Sequence, residues 1–272
     1  MTGRPTLAPQ AITLDFGNTL VPVDGAALRS VVEATARHVS ERLGPFDLSA
    51  YLVAWQEERD RQFREEVPRF REVDLADRFV RLLARFRGMP PPAPEAPWDQ
   101  VAAARLSHPA EIDWAVAAYG DAFVRLVPPP PSVGPLLERL ARDRPVAILS
   151  NWPHAAVIDR YIEVAGWVRH LAAVVVSQRV GAIKPHPAIF AATRRALGEP
   201  TPESILHVGD DWAADVVGAA NAGWRTAYLR NRPGDSPLPS SERDGTVVPD
   251  LELDELTDLP DVLAPGRAAG RR

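Results

Sequence analysis

One carboxylate stands where a strand is expected to become a loop. Asp15 follows the apolar run AITL and precedes the turn formers Gly17, Asn18 and Thr19. A short β-prone run that ends in turn formers predicts a strand end, which is where open parallel sheets bind their ligands. A carboxylate there can attack an electrophile and form a covalent aspartyl intermediate. Asp15 is therefore the candidate nucleophile, with a solvated strand-end carboxylate as the alternative.

Polar residues also follow three later apolar runs. The stretch AILSN ends on Ser150 and Asn151, and Lys184 lies in VGAIKPHP. The stretch ILHVGDDWAAD carries three aspartates, Asp210, Asp211 and Asp215. Because the carboxyl ends of parallel strands meet at one edge of a sheet, we expect these side chains to converge with Asp15.

The two basic residue types are used very unequally. The chain has 31 lysine and arginine residues, and Lys184 is the only lysine. A lysine ammonium is a compact charge that can meet a phosphate or carboxylate oxygen directly, whereas arginine presents a planar fork. Chance survival of one lysine is the alternative, but its position among the predicted strand ends indicates a functional role.

Taken together, these groups share a chemical logic. Asp15 and Asp210, with a backbone carbonyl, offer the hard oxygen ligands that Mg²⁺ takes beside a phosphate. The ion would hold a negative nucleophile next to a negative phosphate and neutralise charge during phosphoryl transfer. Lys184 would balance the carboxylates, while Thr19 and Ser150 would donate hydrogen bonds to phosphoryl oxygens. Taken singly, each residue is more readily interpreted as a helix cap or a surface charge.

Hydrophobic periodicity divides the chain into a helical part and an alternating part. In the first part it predicts helices over residues 26–43, 48–67, 75–86 and 110–127. In the second part it predicts strands over residues 146–149, 173–176, 204–208, 226–229 and 247–253. The helices between and after them are predicted over residues 133–142, 155–165, 188–197, 213–222 and 256–263. Strands that alternate with helices predict an α/β fold with a parallel sheet.

The order of these elements predicts two domains. An α/β core of residues 8–22 and 132–264 is interrupted by a helical cap, residues 23–131, which should cover the carboxyl edge of the sheet. Residues 231–242 are rich in Pro, Ser and Asp and predict a loop. Residues 265–272 predict a flexible tail.

Composition narrows the class of protein. The net charge of −5 and the isoelectric point near 5.7 give no indication of a nucleic-acid partner. The chain has no cysteine, which excludes disulfides, thiolate catalysis and cysteine metal sites. The N-terminal stretch lacks the apolar core of a signal peptide, and no apolar run approaches the roughly 18 residues of a membrane span. A cytoplasmic protein with a small-molecule substrate is the expectation.

Four stretches, LDFGNTL, AILSN, VGAIKPHPAIF and HVGDDWAADVVGAANAGW, carry a family resemblance. The chain resembles the haloacid dehalogenase-like (HAD) hydrolases, in the subfamily with a helical cap after the first motif. The resemblance implies a Rossmann-like core with helices on both faces, bound Mg²⁺ and attack by Asp15 on a phosphomonoester. It implies the catalytic set Asp15, Thr19, Ser150, Asn151 and Lys184. It also implies the metal ligands Asp15, the backbone carbonyl of Gly17, Asp210, Asp211 and Asp215.

Gly17 departs from the usual pattern of the phosphatases in this family. They carry a second aspartate at that position, which protonates the leaving group and then activates water. Glycine keeps the backbone carbonyl but cannot move a proton, and loss of general acid–base help typically costs roughly 10²- to 10⁴-fold in rate. Asn18 does not titrate, so its predicted role is in the turn. Four residues elsewhere in the chain are candidates to replace this general acid, namely Asp24, His154, His186 and Asp211.

Other reactions in the family offer alternatives to a slow phosphatase. A haloacid dehalogenase needs no such acid because a halide leaves without a proton, but Phe190 stands where those enzymes usually carry a tyrosine. The acidic GDDWAAD stretch also suits a metal that they do not use. A phosphonatase would need a Schiff-base lysine in the cap, and residues 22–131 contain none. A non-catalytic relative that binds phosphate or a partner remains the third alternative.

The predicted cap and the motif ends also hold substrate-facing candidates. A solvated helix face is the simpler interpretation of the cap arginines that could meet an anionic substrate, Arg29, Arg59, Arg61 and Arg64. Trp152 and Trp212 follow two of the motif stretches and are candidates to line the entrance, with core packing as the alternative.

Overall fold

A computed structural model describes residues 8–264 of the chain. In that part, six parallel strands form one sheet in the spatial order β3-β2-β1-β4-β5-β6. Their bounds are β1 Ala11–Leu14, β2 Val146–Ser150, β3 Ala173–Val176, β4 Ile205–Gly209, β5 Arg225–Leu229 and β6 Leu251–Leu253. The first strand therefore lies in the middle of the sheet, between β2, which ends at Ser150, and β4, which ends just before Asp210.

The central strands are buried on both faces, as parallel sheets require. Ile12 and Leu14 of β1 face one hydrophobic cluster, which includes residues of helices α6, α7 and α11, with bounds Val133–Ala141, Ala155–Val164 and Leu259–Val262. Ala11 faces a second cluster, which includes residues of α9, Pro187–Ala196, and α10, Gly218–Asn221. Alternate side chains of a strand point to opposite faces, so helices cover the sheet on both sides. The predicted α/β class with a Rossmann-like parallel sheet is confirmed.

A helical insertion separates β1 from β2. Its helices are α1 Gly25–Leu43, α2 Leu48–Glu66, α3 Leu75–Phe86, α4 Gln100–Ala104 and α5 Pro109–Leu126. Asp24, Asp47 and Asp74 accept hydrogen bonds from the first turns of α1, α2 and α3, which explains where these helices begin. The four predicted helices agree with the structure to within one residue at each end. The short α4 was not predicted, because five residues give no helical period.

Three segments differ from their predicted form. The predicted edge strand over residues 247–253 pairs only at Leu251–Leu253, because Pro249 cannot donate to a ladder. The predicted helix over residues 213–222 is a π-helical turn, Trp212–Val217, followed by α10. A four-residue helix, α8, Ser177–Val180, was not predicted. The predicted tail, residues 265–272, lies outside the described residues.

The insertion contacts the core through packed helices and through hydrogen bonds. Helices α1 and α5 pack against each other, and α5 also contacts α7 of the core. The carbonyl of Phe70, just after α2, accepts a hydrogen bond of 3.0 Å from the amide of Ile183, next to Lys184. Within residues 8–264, no helix has the length and apolar character that crossing a membrane would require.

Candidate active site

The single lysine connects the ends of three strands. Lys184 Nζ donates to Asp15 Oδ1 at 2.7 Å, to Asp215 Oδ1 at 2.6 Å and to the Leu149 carbonyl at 3.0 Å. The Lys184 side chain is 2% exposed. Protein groups accept all three hydrogen bonds that its ammonium can donate. Burial alone would lower the pKa of Lys184, but the negative charges of Asp15 and Asp215 raise it. Lys184 is therefore a permanently charged group at the expected convergence of strand ends.

Asp215 has both carboxylate oxygens engaged by the protein. Its Oδ1 accepts from Lys184 and lies 3.0 Å from His207 Nε2, while its Oδ2 accepts from the Asp211 amide at 2.9 Å. His207 Nδ1 lies 2.8 Å from Thr13 Oγ1 on β1. Burial alone would raise the pKa of Asp215, yet Lys184 and His207 hold it below its ordinary value. Asp215 thus stays ionised and fixes the position of Lys184.

His207 was not predicted as part of the site. It is buried within β4 between Leu206 and Val208, and burial lowers the pKa of its imidazole. The signal was present in the sequence, because a histidine in the middle of an apolar strand needs polar partners once buried.

Asp210 carries negative charge that is only partly compensated. Thr19 Oγ1 donates to Asp210 Oδ1 at 3.2 Å, and Arg232 Nη1 lies 3.2 Å from Oδ2. Burial and the nearby charges of Asp15 and Asp215 raise the pKa of Asp210 to about 8. Burial also raises the pKa of Asp15 to about 6, although Lys184 opposes the shift. Both shifts mean that Asp15 and Asp210 are readily ionised together only when a further positive charge lies beside them.

The donor set fits a hard divalent cation. Ligand oxygens of Asp15, Asp210 and Asp215 lie within 4.8 Å of one another, and all three residues are buried. Oxygen-only ligands are the chemistry that Mg²⁺ selects. Asp211 is not among these three residues, and its Oδ1 accepts from the Ala214 amide at 2.7 Å and from Ser241 Oγ at 2.8 Å.

Two neighbouring residues at the end of β2, Ser150 and Asn151, have different environments. Ser150 is 1% exposed, and within residues 8–264 its hydroxyl has no hydrogen-bond partner. Asn151 spans the backbone of Lys184, accepting from its amide at 2.7 Å and donating to its carbonyl at 3.1 Å. Ser150 therefore retains a free donor for a ligand, whereas Asn151 positions the loop that carries Lys184.

The space beside Gly17 is already filled. A Cβ placed on Gly17 would lie 2.6 Å from Leu238 Cδ1 and 3.2 Å from Trp152 Cζ3. Asn18 adopts the left-handed region with φ of 60°, as its predicted role in the turn requires. The two side chains nearest to a Cβ at residue 17 are therefore apolar, in a place where a proton-transferring carboxylate would need polar contacts.

Leu238 belongs to the connection between β5 and β6, residues 230–250, which we call the covering loop. In the covering loop, Ser236 exchanges hydrogen bonds with Asn18, and Ser241 donates to Asp211. The carbonyl of Pro237 accepts a hydrogen bond from Arg59 of α2. The sequence predicted a loop here but not that it reaches both the first motif and the helical insertion.

A cavity of about 310 Å³ opens at the strand ends. Its polar wall includes Asp15, Lys184, Asp210 and Asp211. The remaining wall is largely apolar and is supplied in part by aromatic side chains, Trp55, Phe63, Phe70, Tyr119 and Trp152. Trp152 thus lies where it was expected. Trp212 is fully buried outside the cavity, and its Nε1 donates to Asp244 at 2.8 Å.

The four predicted arginines have separate environments. Arg59 lines the cavity. Arg29 is paired with Glu33 on the surface, and Arg64 is exposed. Arg61 is buried and donates to the backbone carbonyls of the proline-rich loop, Pro92, Ala93, Pro94 and Ala96. A fifth arginine, Arg78, also lines the cavity and was not predicted.

The four candidate replacement acids lie in different environments. Asp24 accepts from the Ala27 amide at 2.6 Å and His186 from the Ala188 amide at 3.2 Å, so both cap helices. Burial lowers the pKa of His154, which stands at the start of α7. Asp211 alone of the four contributes to the cavity wall among the described residues, and burial raises its pKa.

Comparison with known proteins gives a family and several relatives. A family model described as haloacid dehalogenase-like hydrolase matches residues 9–223. The chain is 38% identical over 90 residues to a glyceraldehyde 3-phosphate phosphatase of Methanopyrus kandleri, a match that covers 33% of this chain and 37% of that protein. It is 28% identical over 120 residues to the pyrimidine 5'-nucleotidase YjjG of Escherichia coli, covering 43% of this chain and 53% of that protein. The matched segments thus span about half of these relatives or less.

A solved structure extends the likeness in fold to nearly the whole chain. The 2-haloacid dehalogenase of Pseudomonas syringae is 23% identical, with a TM-score of 0.63, and the match covers 94% of this chain and 98% of that one. At this identity the likeness concerns the fold.

Proposed function

Because the chain belongs to the haloacid dehalogenase-like hydrolase family, we propose that it is a Mg²⁺-dependent phosphatase of small phosphate monoesters. The observation that carries this proposal is the excess of buried negative charge at Asp15 and Asp210, which only a cation can balance when both are ionised. The two relatives named as a phosphatase and a nucleotidase support the same reaction class.

In this proposal Asp15, Asp210 and the carbonyl of Gly17 hold the ion. Asp215 is a positioning residue, because both of its oxygens are already engaged. When bound, Mg²⁺ supplies positive charge beside the phosphoryl oxygens. The proposed cap, residues 23–131, closes the cavity over a core of residues 8–22 and 132–264.

The residues of the chain divide the reaction between them. A carboxylate oxygen of Asp15 bonds to phosphorus while the ester P–O bond breaks, and the leaving oxygen keeps the electron pair. Lys184 orients Asp15, and the free hydroxyl of Ser150 donates to a phosphoryl oxygen. Water then cleaves the aspartyl-phosphate and restores Asp15. Thr19 holds Asp210 in place.

The leaving group must accept its proton without help from residue 17. Gly17 has no acid, and Leu238 and Trp152 make its surroundings apolar. We therefore expect esters of weakly basic leaving groups, such as aryl phosphates, to react faster than alkyl phosphates.

Phosphate release from 4-nitrophenyl phosphate, with Mg²⁺ and with a chelator, tests the proposal. We expect turnover that requires the ion and is lost in Asp15→Asn. The missing acid at Gly17 favours one other candidate, a haloacid dehalogenase, so halide release from 2-chloropropionate is measured in parallel. Halide release without metal would overturn the phosphatase proposal. The absence of both activities would favour the non-catalytic relative.

A further inference from the structure

Arg78 is a buried cation without a carboxylate partner. It lies on α3 and is 4% exposed. Its Nε donates to Gln62 Oε1 at 2.9 Å, and its guanidinium lies over the Trp55 ring, 5.0 Å from the centroid. Within residues 8–264, neither terminal nitrogen of Arg78 donates a hydrogen bond to the protein. These two nitrogens are available to a ligand.

Two other arginines of α3 have carboxylate partners, in contrast to Arg78. Arg81 pairs with Glu65 at 3.0 Å, and Arg85 pairs with Glu57 at 2.6 Å and Glu58 at 3.1 Å. Leaving a buried charge unpaired is costly, and buried charges in proteins are usually paired. An unpaired guanidinium with buried surroundings is therefore an unusual feature that calls for a partner from outside the chain.

The cavity places Arg78 where such a partner can arrive. Arg78 and Arg59 both line the cavity whose polar wall holds Asp15 and Lys184. Arg59 stacks on Phe63, with its Cζ 4.9 Å from the ring centroid. Burial, together with the positive charge of Arg59, lowers the pKa of Arg78 to about 10. Two cations that disfavour each other are stabilised by an anion between them.

Glu72 is a carboxylate of the cavity wall whose charge acts on Arg78, but its hydrogen bonds go to other residues. Glu72 accepts hydrogen bonds from the Ser177 hydroxyl and from the Val73 amide at 3.0 Å. Burial raises the pKa of Glu72, so its negative charge is itself disfavoured.

We propose that Arg78, with Arg59 beside it, binds a second anionic group of the substrate, at the end of the molecule away from the scissile phosphate. The aromatic wall formed by Trp55, Phe63 and Tyr119 would hold a flat apolar body between the two anions. The substrate class is then a phosphate monoester whose apolar leaving group carries a carboxylate or a second phosphate. This inference rests on the proposed phosphatase function of Asp15.

Two aryl phosphates of nearly equal size distinguish the effect of the distal group's charge from the effect of its shape. The test compares kcat/KM for 4-carboxyphenyl phosphate and 4-carbamoylphenyl phosphate, which differ in the charge of the distal group. We expect the wild-type chain to prefer the carboxylate by about tenfold or more, since charge-assisted bidentate bonds to arginine are strong. Arg78→Met should bring the preference close to one, and Arg59→Met should reduce it. Arg64 is an exposed arginine of α2, so Arg64→Met should leave the preference for the carboxylate unchanged.

Binding of non-hydrolysable analogues tests the anion site at Arg78 separately from the phosphatase activity. Affinities of 4-carboxybenzylphosphonate and 4-carbamoylbenzylphosphonate are measured by calorimetry with Mg²⁺ present. If no aryl phosphate turns over but the carboxylate analogue binds more tightly through Arg78, the phosphatase proposal fails and the anion site stands. Equal use of the two esters by the wild-type chain, or a preference that survives in folded Arg78→Met and Arg59→Met, would overturn the anion site.

Discussion

Leu238 of the covering loop lies against Gly17, and it occupies the position that a side chain on residue 17 would need. A Cβ there would approach Leu238 Cδ1 to 2.6 Å. The absence of an acid at residue 17 and the position of the Leu238 side chain are thus structurally linked. A side chain restored at residue 17 must therefore displace the end of the Leu238 side chain.

The first prediction concerns this pair. Gly17→Asp alone should raise turnover of an alkyl phosphate such as glycerol phosphate only slightly, because the new side chain must displace the end of Leu238 and lies against Trp152. Gly17→Asp with Leu238→Ala should raise it by at least about tenfold, within the range of general acid catalysis. Leu238→Ala alone is the control and should give no gain. An equal gain from Gly17→Asp alone would show that Leu238 is no obstacle, and no gain in the double variant would show that more than an acid is missing.

The second prediction concerns the buried lysine. Lys184→Met leaves Asp15 and Asp215 without their shared cation, so the free energy of unfolding should fall by about 3 to 5 kcal/mol. Urea unfolding measures the change. Adding Asp215→Asn to Lys184→Met should restore part of the loss, because one of the unpaired charges is removed. Additive losses in the double variant would contradict the ion-pair explanation.

The sheet and the convergence at its edge could be predicted from sequence. Strand β3 agrees with its predicted bounds, β2 extends one residue further, and β4 begins and ends one residue later than predicted. Buried parallel strands are short apolar runs, and this pattern does not depend on distant residues. The proximity of Asp15, Lys184 and Asp210 then follows from topology, since parallel strand ends share an edge.

The contacts from irregular segments could not be predicted in this way. Leu238 and Arg232 reach the site from the covering loop, which has no hydrophobic period to fix its path. In a chain that uses arginine for nearly every positive charge, Arg78 is indistinguishable in sequence from the exposed Arg64. Its burial depends on how α2, α3 and α5 pack, which is a property of the folded insertion.

The third prediction links metal binding to pH. In the metal-free fold the pKa of Asp210 is about 8, above its unfolded value near 4, so the fold binds this proton more tightly. Its contribution to stability is therefore present at low pH and is lost as pH rises toward 8. Mg²⁺ replaces the proton, so the gain in melting temperature on adding Mg²⁺ should be larger at about pH 9 than at about pH 6. Thermal unfolding with and without the ion measures this.

A matched variant checks the assignment of that proton. Asp210→Asn removes the titrating group, so both the gain from Mg²⁺ and its pH dependence should shrink. A gain that is the same at both pH values in the wild-type chain would exclude Asp210 as the group displaced by the ion.

The fourth prediction separates a structural arginine from those that line the cavity. Arg61 donates to four backbone carbonyls of the proline-rich loop at 3.0 to 3.1 Å, and it does not line the cavity. Arg61→Met removes all four hydrogen bonds of this buried guanidinium, so the free energy of unfolding should fall by about 2 to 4 kcal/mol. Below the melting temperature, kcat/KM for 4-carboxyphenyl phosphate and its preference over the carbamoyl ester should stay at the wild-type values. Loss of that preference in folded Arg61→Met would show that the arginines of α2 and α3 act as one charged surface.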